Sequence, residues 1–290
     1  MKSVGVIGLG IMGSAMSANL LKNGFKVYGY DILPKARAAL KRAGGVALAS
    51  PLEVFFKVEI IITSLPSAKA LHAICKEVEG KGAVVIETST LPIEEKVKAR
   101  ETLRKKGIIL LDCPLSGTGA QAKVGDLVVF GSGDRNAFSK ARIVLRAFSR
   151  GHHYLGEFGN GSKMKFVANL MVAIHNVSAG EAFALGIKAG LSPKAIFDVQ
   201  ANSAGTSRMF QVRGPMMVKG RYDDVTMKNE VWQKDMKIIG DYARRLGVAT
   251  PTFNASAGVY KAAMAQGFAR QDTGAVCAVL ERMSGLRRRR

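Results

Sequence analysis

The feature that most constrains this chain is a glycine-rich hexapeptide near its start. Gly8-Leu9-Gly10-Ile11-Met12-Gly13 directly follows the apolar run Ser3-Val4-Gly5-Val6-Ile7. That run reads as a buried strand, and Gly13 to Asn23 reads as a helix, so the glycines occupy the turn between them. Gly8 permits a tight turn, Gly10 lets the backbone approach a pyrophosphate, and Gly13 lets helix pack closely on strand. Phosphates in such a turn meet a helix N-terminus, where free N–H groups and the dipole favour an anion. Gly8, Leu9, Gly10, Ile11, Met12 and Gly13 are therefore expected to hold a dinucleotide. Asp31, at the end of the second apolar run, is placed to accept hydrogen bonds from adenosine ribose hydroxyls and to repel a 2′-phosphate. Ile32, Leu33 and Pro34 separate it from Lys35. NAD is therefore expected in preference to NADP, although Lys35 or Arg37 could still accommodate the extra phosphate.

Beyond the turn, apolar runs alternate with helical patterns. Strands are expected at Phe25–Tyr30, Glu59–Ser64, Ala83–Thr88, Ile108–Asp112 and Leu127–Phe130, with a further helix at Pro34–Ala43. This alternation implies a parallel sheet with right-handed crossovers, and the closely spaced later strands could include antiparallel pairs. After residue 160 the pattern becomes helical. Ser162 to Gly190 contains no proline, and Val167, Leu170, Met171, Ile174 and Val177 recur at helical spacing. Further helices are expected over 193–201, 208–219, 228–246 and 252–268. The division is an α/β domain over 1–161, then an all-α domain over 162–290 that begins with one long connecting helix.

Composition narrows the class. A chain that is 48% apolar and 22% charged is globular rather than disordered or fibrous. The uncharged stretch Phe166–Gly180 is too short to span a bilayer, and the N-terminus does not resemble a signal peptide; a cytoplasmic protein is expected. Cys75, Cys113 and Cys277 lack metal-ligand spacing and read as reduced and structural. His152-His153 has no suitably spaced carboxylate or thiol partner, so no metal is expected. The net charge of +21 attracts anions of any kind. Its Lys and Arg residues show no aromatic interleaving, which disfavours a nucleic-acid partner, and Arg287–Arg290 reads as a solvated tail.

The wider N-terminal segment Val6-Ile7-Gly8-Leu9-Gly10-Ile11-Met12-Gly13-Ser14-Ala15-Met16-Ser17-Ala18-Asn19-Leu20 resembles the signature of the β-hydroxyacid dehydrogenases, the 3-hydroxyisobutyrate dehydrogenase family. Three more segments follow in that family's order. Asp112-Cys113-Pro114-Leu115-Ser116-Gly117 resembles its substrate loop, Gly159 to Asn169 its catalytic helix, and Lys234-Asp235 its late Lys-Asp pair. The resemblance covers most of the chain. It implies a Rossmann domain joined to a helical domain, with the active site in the cleft between them, and hydride transfer at C3 of a small 3-hydroxy carboxylic acid. Candidate substrates are 3-hydroxyisobutyrate, glycerate with tartronate semialdehyde, L-serine, and sugar acids such as threonate. The chain departs from the family at Thr118, where many relatives have a second glycine, and at Ala168 and Leu170, where relatives often carry a polar amide beside Asn169. Both departures bear on substrate preference more than on reaction class.

By this resemblance Lys165 is the general acid/base and Asn169 its partner. Residues 165 and 169 lie one helical turn apart and share a face with Asn176, while the apolar set mostly lies elsewhere. A lysine early in a helix meets the positive end of the dipole, and burial acts in the same direction, so its cation is disfavoured. On spacing alone, a surface lysine beside Lys163 is the other reading. Ser116, Gly117 and Thr118 are implied to bind the substrate carboxylate, with Arg208 and Arg213 as candidate clamps or as helix-surface ion pairs. Leu65, Pro66 and Thr90 are implied to flank the nicotinamide. Lys234 is implied to reach the cofactor from the helical domain, with Asp235 either orienting that lysine or binding substrate. Self-association as a dimer or tetramer is expected, because the long helix has a second face to cover. Two other readings stay open: an imine reductase, which usually lacks the lysine, and a non-enzymatic nucleotide- or nucleic-acid-binding module.

Overall fold

In the computed structural model, which describes residues 2–80, 82–286 and 288, the chain divides into two compact units, 1–165 and 166–290. The first unit is built from repeated strand–helix steps: β1 (Ser3–Ile7), α1 (Ile11–Lys22), β2 (Lys26–Tyr30), α2 (Pro34–Arg42), β3 (Val46–Ala47), α3 (Pro51–Lys57), β4 (Ile60–Thr63), α4 (Ala68–Glu77), β5 (Val84–Glu87), α5 (Ile93–Arg104) and β6 (Ile109–Asp112). These strands form one sheet in the order β3-β2-β1-β4-β5-β6, every pair parallel. Side chains alternate between its faces, as the pleat requires. Ile62, Val84 and Ile86 pack with Met16 and Leu20 of α1 on one face. Ile61 and Val85 pack with Val54, Leu71 and Leu103 on the other. Burial on both faces explains why the strands read as continuous apolar runs.

The sheet is followed by β7 (Leu115–Ser116), α6 (Gly119–Lys123), β8 (Val128–Gly131), α7 (Arg135–Leu145) and β9 (Gly151–Tyr154). β7 and β8 pair antiparallel, and β8 and β9 pair parallel. β9 was not expected, because its Gly-His-His-Tyr sequence carries no apolar run. β3, only two residues long, was also not expected.

The helix α8 runs from Asn160 to Lys188, 29 residues. This corrects the estimate from Phe166–Gly180: by length and composition alone the helix could cross a bilayer. Part of it is buried within the fold, and part, including Val167 and Met171, is exposed. Lys165, Asn169 and Asn176 on it are buried, and the two asparagines hydrogen-bond within the fold.

The second unit continues with α9 (Pro193–Gln200), α10 (Arg208–Lys219), α11 (Asn229–Arg245), α12 (Pro251–Ala265), a 3-10 turn at Thr273–Ala275, and α13 (Val276–Met283), which was not expected. Its core gathers Phe183, Phe210, Met217, Tyr222 and Cys277, with the Phe210 ring stacked on both Phe183 and Phe197. Of the two readings for Arg213, the structure shows the ion pair, and it is buried rather than on a helix surface. Arg213 lies on α10, its Nε donating to Asp272 Oδ1 at 2.9 Å. The reading of Arg287–Arg290 as a solvated tail is also corrected at Arg288. Its guanidinium pairs with Glu281, and its Nη1 donates to the Val218 carbonyl at 2.8 Å. Arg287, Arg289 and Arg290 lie outside the described residues.

Candidate active site

An all-parallel sheet brings the carboxyl ends of its strands to one edge, and ligands bind there where the strand order reverses. That reversal falls between β1 and β4, the strands that lead into Gly8 and Leu65. Gly8, Asp31, Leu65, Pro66 and Thr90 all follow strands of this sheet at that edge. The Gly8 N–H donates to the Tyr30 carbonyl at 2.9 Å, and the Leu65 N–H to Ser89 Oγ at 2.8 Å.

The glycine turn has the geometry its sequence calls for. Gly8 has a φ of +90°, and a Cβ there would lie 2.2 Å from the Ser64 carbonyl oxygen. A Cβ at Gly13 would lie 1.8 Å from the Gly8 carbonyl oxygen, whereas one at Gly10 would meet nothing within 4 Å. α1 starts at Gly10 with no side-chain cap and no acidic residue in its first turn. A close-packed Gly8 and Gly13, an open Gly10 and an uncapped helix start fit the pyrophosphate of a dinucleotide. Leu9 is buried, Ile11 is exposed, and Met12 is half-buried. Asp31 braces the turn: its Oδ2 accepts from the Leu9 N–H at 2.7 Å and its Oδ1 from the Leu33 N–H at 2.8 Å. Arg37 donates to the Asp31 carbonyl at 2.6 Å, with its guanidinium over the Tyr30 ring.

In the segment that resembles the family's substrate loop, Ser116 ends β7 and Gly117 has a φ of +137°, a conformation that favours glycine. Thr118, at the family's glycine position, caps α6. Its N–H donates to Gln121 Oε1 at 3.0 Å, and its Oγ1 accepts from the Gln121 N–H at 3.4 Å. The loop is thereby tied to the turn that follows it.

Lys165 lies in the second turn of α8 and is buried, at 9% exposure. In the second unit, Asn169, Lys234 and Asp235 come together. Asn169 Nδ2 donates to Asp235 Oδ2 at 2.9 Å, and Lys234 Nζ lies 3.5 Å from Asp235 Oδ1. Arg208 is exposed in the first turn of α10 and hydrogen-bonds Gln211 at 3.5 Å.

Sequence reasoning missed a buried ionic cluster in the first unit. Lys96 on α5 is fully buried, with its Nζ 2.6 Å from Glu87 Oε2 and 2.8 Å from Asp112 Oδ1, and it donates to the Ser89 carbonyl at 2.7 Å. Burial alone would push this ammonium towards neutrality, but the Asp112 and Glu87 carboxylates outweigh it and hold the lysine well above its usual value. Asp112 continues to α8, where its Oδ2 accepts from the Ser162 N–H at 2.7 Å and its Oδ1 from the Ser162 hydroxyl at 2.8 Å. The available signal was an acidic residue closing an otherwise apolar strand, Val-Val-Ile-Glu and Ile-Leu-Leu-Asp.

The comparisons with known proteins agree with this geometry. Residues 3–156 match the NAD binding domain of 6-phosphogluconate dehydrogenase, and residues 159–280 match the family described as NAD-binding of NADP-dependent 3-hydroxyisobutyrate dehydrogenase. The L-threonate dehydrogenase of Cupriavidus necator is 33% identical over 95% of this chain and 95% of its own. The mitochondrial 3-hydroxyisobutyrate dehydrogenase of Rattus norvegicus is 31% identical over 94% of this chain and 85% of its own. Among solved structures, a Mycobacterium tuberculosis 3-hydroxyisobutyrate dehydrogenase with L-serine gives a TM-score of 0.87 at 26% identity, over 97% of this chain and 99% of that one. With a dinucleotide turn at a parallel sheet edge and a matched helical region beyond it, the chain belongs to the β-hydroxyacid dehydrogenase family and is an NAD(P)-dependent oxidoreductase of small hydroxy carboxylates.

Proposed function

We propose that this enzyme oxidises a short sugar acid of the threonate type, reversibly, with Lys165 as the group that exchanges the hydroxyl proton. The bound nicotinamide supplies the hydride acceptor. The observation that carries the reading is Lys165 buried in the second turn of α8, because a lysine shielded from bulk water can exchange a proton with an alcohol. Asn169, hydrogen-bonded to Asp235, holds its amide in one orientation beside the reacting groups. Ser116 and Gly117 bind the carboxylate through N–H groups and a hydroxyl, while Thr118 and Gln121 keep that loop in shape. Arg208 and Asp235 complete the substrate side, and Gly8 to Gly13, Asp31, Leu65, Pro66, Thr90 and Lys234 hold the cofactor. The domains are taken as 1–161 and 162–290.

Threonate is favoured by the polar Ser207-Arg208 start of α10 and by the name of the Cupriavidus relative. NAD is favoured by Asp31, because an acidic residue at the end of the second strand is suited to the ribose hydroxyls and repels a 2′-phosphate. Three free, buried thiols suit a reducing compartment, so we place the enzyme in the cytoplasm. Self-association, as a dimer or tetramer, is favoured by the exposed Met164, Val167 and Met171 along one face of α8.

The test is a panel of L-threonate, 3-hydroxyisobutyrate, glycerate and L-serine, each with NAD and with NADP, followed by the reduced cofactor's absorbance. L-Threonate with NAD should give the highest kcat/KM, and a clear preference for 3-hydroxyisobutyrate would overturn the sugar-acid assignment. Lys165→Ala should lower kcat by roughly 10²- to 10⁴-fold at nearly unchanged cofactor affinity. Turnover close to that of the parent enzyme would remove Lys165 from the mechanism.

A further inference from the structure

We propose that Lys96 and Asp112 are positioning residues for Lys165, seating the first turn of α8 against the loops that close β4 and β5. The proposal rests on the reading of Lys165 as the proton carrier, and every group in it lies within residues 1–165.

The physical problem is the start of α8. Helix N-termini carry unpaired N–H groups, usually satisfied by a local side-chain cap. Here the partners come from distant strands. Ser132 Oγ accepts from the Gly161 N–H at 2.9 Å, and Asp112 accepts from both the Ser162 N–H and the Ser162 hydroxyl. Gly161 is pressed against those strands: a Cβ on it would lie 2.2 Å from the Phe130 carbonyl oxygen and 2.6 Å from that of Asp112. Ser162 precedes Lys165 by three residues, so the two share a helix face. Any rotation or slip of this turn moves the lysine with it.

Asp112 is itself held in place. Its Oδ1 is shared between Lys96 and Ser162, and Ser132 Oγ stands 3.3 Å from Oδ2. The other contacts of Lys96 run towards the loops assigned to the nicotinamide. The Ser89 carbonyl takes one N–H of the ammonium, Ser89 Oγ accepts from the Leu65 N–H, and the Ser89 N–H donates to Glu87 Oε1 at 2.9 Å. One fully buried ammonium thus joins the Leu65 and Ser89 loops to the start of α8. A buried ion cluster gives little net stability over well-packed apolar residues, but its directional bonds fix one arrangement. The need here is directional, because proton transfer depends on donor and acceptor lying within hydrogen-bond reach.

Lys96→Met would leave two carboxylates buried without their cation and is expected to unfold the unit, so the decisive variants are milder. Ser162→Ala removes one hydroxyl contact to Asp112, and Ser132→Ala removes the acceptor for Gly161. Each should lower kcat on the order of tenfold, the worth of one hydrogen bond to a charged group or a helix start, with both KM values unchanged. The primary deuterium isotope effect on kcat, measured with substrate deuterated at the oxidised carbon, should rise as proton and hydride transfer become limiting. Ser162→Thr, which restores the hydroxyl, should recover kcat. If both alanine variants keep kcat and the isotope effect of the parent while Lys165→Ala abolishes turnover, the positioning role is overturned and the catalytic one stands. Loss of kcat in step with a rise in KM and a fall in Tm would indicate general loosening and also overturn it. Turnover retained by Lys165→Ala would instead mark failure of the underlying assignment.

Discussion

Three glycines in one hexapeptide have three different tolerances for a methyl group. At Gly13 an added Cβ would overlap the Gly8 carbonyl oxygen at 1.8 Å, so Gly13→Ala forces helix α1 away from β1. Overpacking of this kind costs about 1–3 kcal/mol and should appear as a lower Tm even without cofactor. At Gly10 the added Cβ meets no protein atom within 4 Å, so Gly10→Ala should melt like the parent. Its effect should appear only with the dinucleotide, because the methyl fills the space through which a pyrophosphate approaches the backbone. A loss of NAD affinity of roughly tenfold or more, measured by titration calorimetry, is expected; a tenfold loss corresponds to about 1.4 kcal/mol. Wild-type affinity in Gly10→Ala would mean the phosphates do not pass there. The packing of this turn was legible in the sequence because the motif encodes local backbone geometry. Lys96 was not, because its partners Glu87, Asp112 and Ser89 come from other elements and nothing in its own neighbourhood marks it as buried.

Helix α8 shows what periodicity can and cannot reveal. Its spacing separates a polar stripe at Lys165, Asn169 and Asn176 from an apolar one, and the structure keeps that separation. The polar stripe is buried, while the apolar set is divided: Val177 is buried, Leu170 and Ile174 are half-buried, and Val167 and Met171 are 59% and 44% exposed. A helical period identifies faces, but it does not say which face the chain itself covers. The same limit explains β9, whose Gly-His-His-Tyr run has no apolar signal and forms a strand through its pairing with β8. Exposed apolar side chains along one face of a long helix, here Met164, Val167 and Met171, are the kind of surface a second copy covers. On the proposed self-association, the paired substitution Val167→Lys with Met171→Glu should reduce the association state seen by sedimentation equilibrium, with the circular dichroism of each subunit kept. An unchanged association state would assign the subunit interface to another surface.

At the scale of the whole molecule, 43 basic residues against 22 acidic ones leave an excess of positive charge that the buried carboxylates partly offset. Asp272 is one of them. Burial raises its pKa, but the Arg213 guanidinium and the N–H and hydroxyl donors of Gly274 and Thr226 outweigh burial and hold it below its ordinary value of about 4. A carboxyl whose folded pKa is depressed binds its proton more readily in the unfolded chain. The stabilisation from Asp272 is thus fully present above about pH 4 and is lost as the pH falls through the folded value. Protonation of the other carboxylates raises the positive charge over the same range, and self-repulsion adds a second acid-sensitive component. Asp272→Asn separates the two. Near neutral pH it leaves Arg213 buried without its anion, and urea unfolding should show a loss of roughly 3–5 kcal/mol. As the pH falls below about 4, the gap between variant and parent should close, because the parent loses the contribution the variant already lacks. A gap that stays constant through that range would mean the Arg213–Asp272 pair is not what makes the fold acid-sensitive.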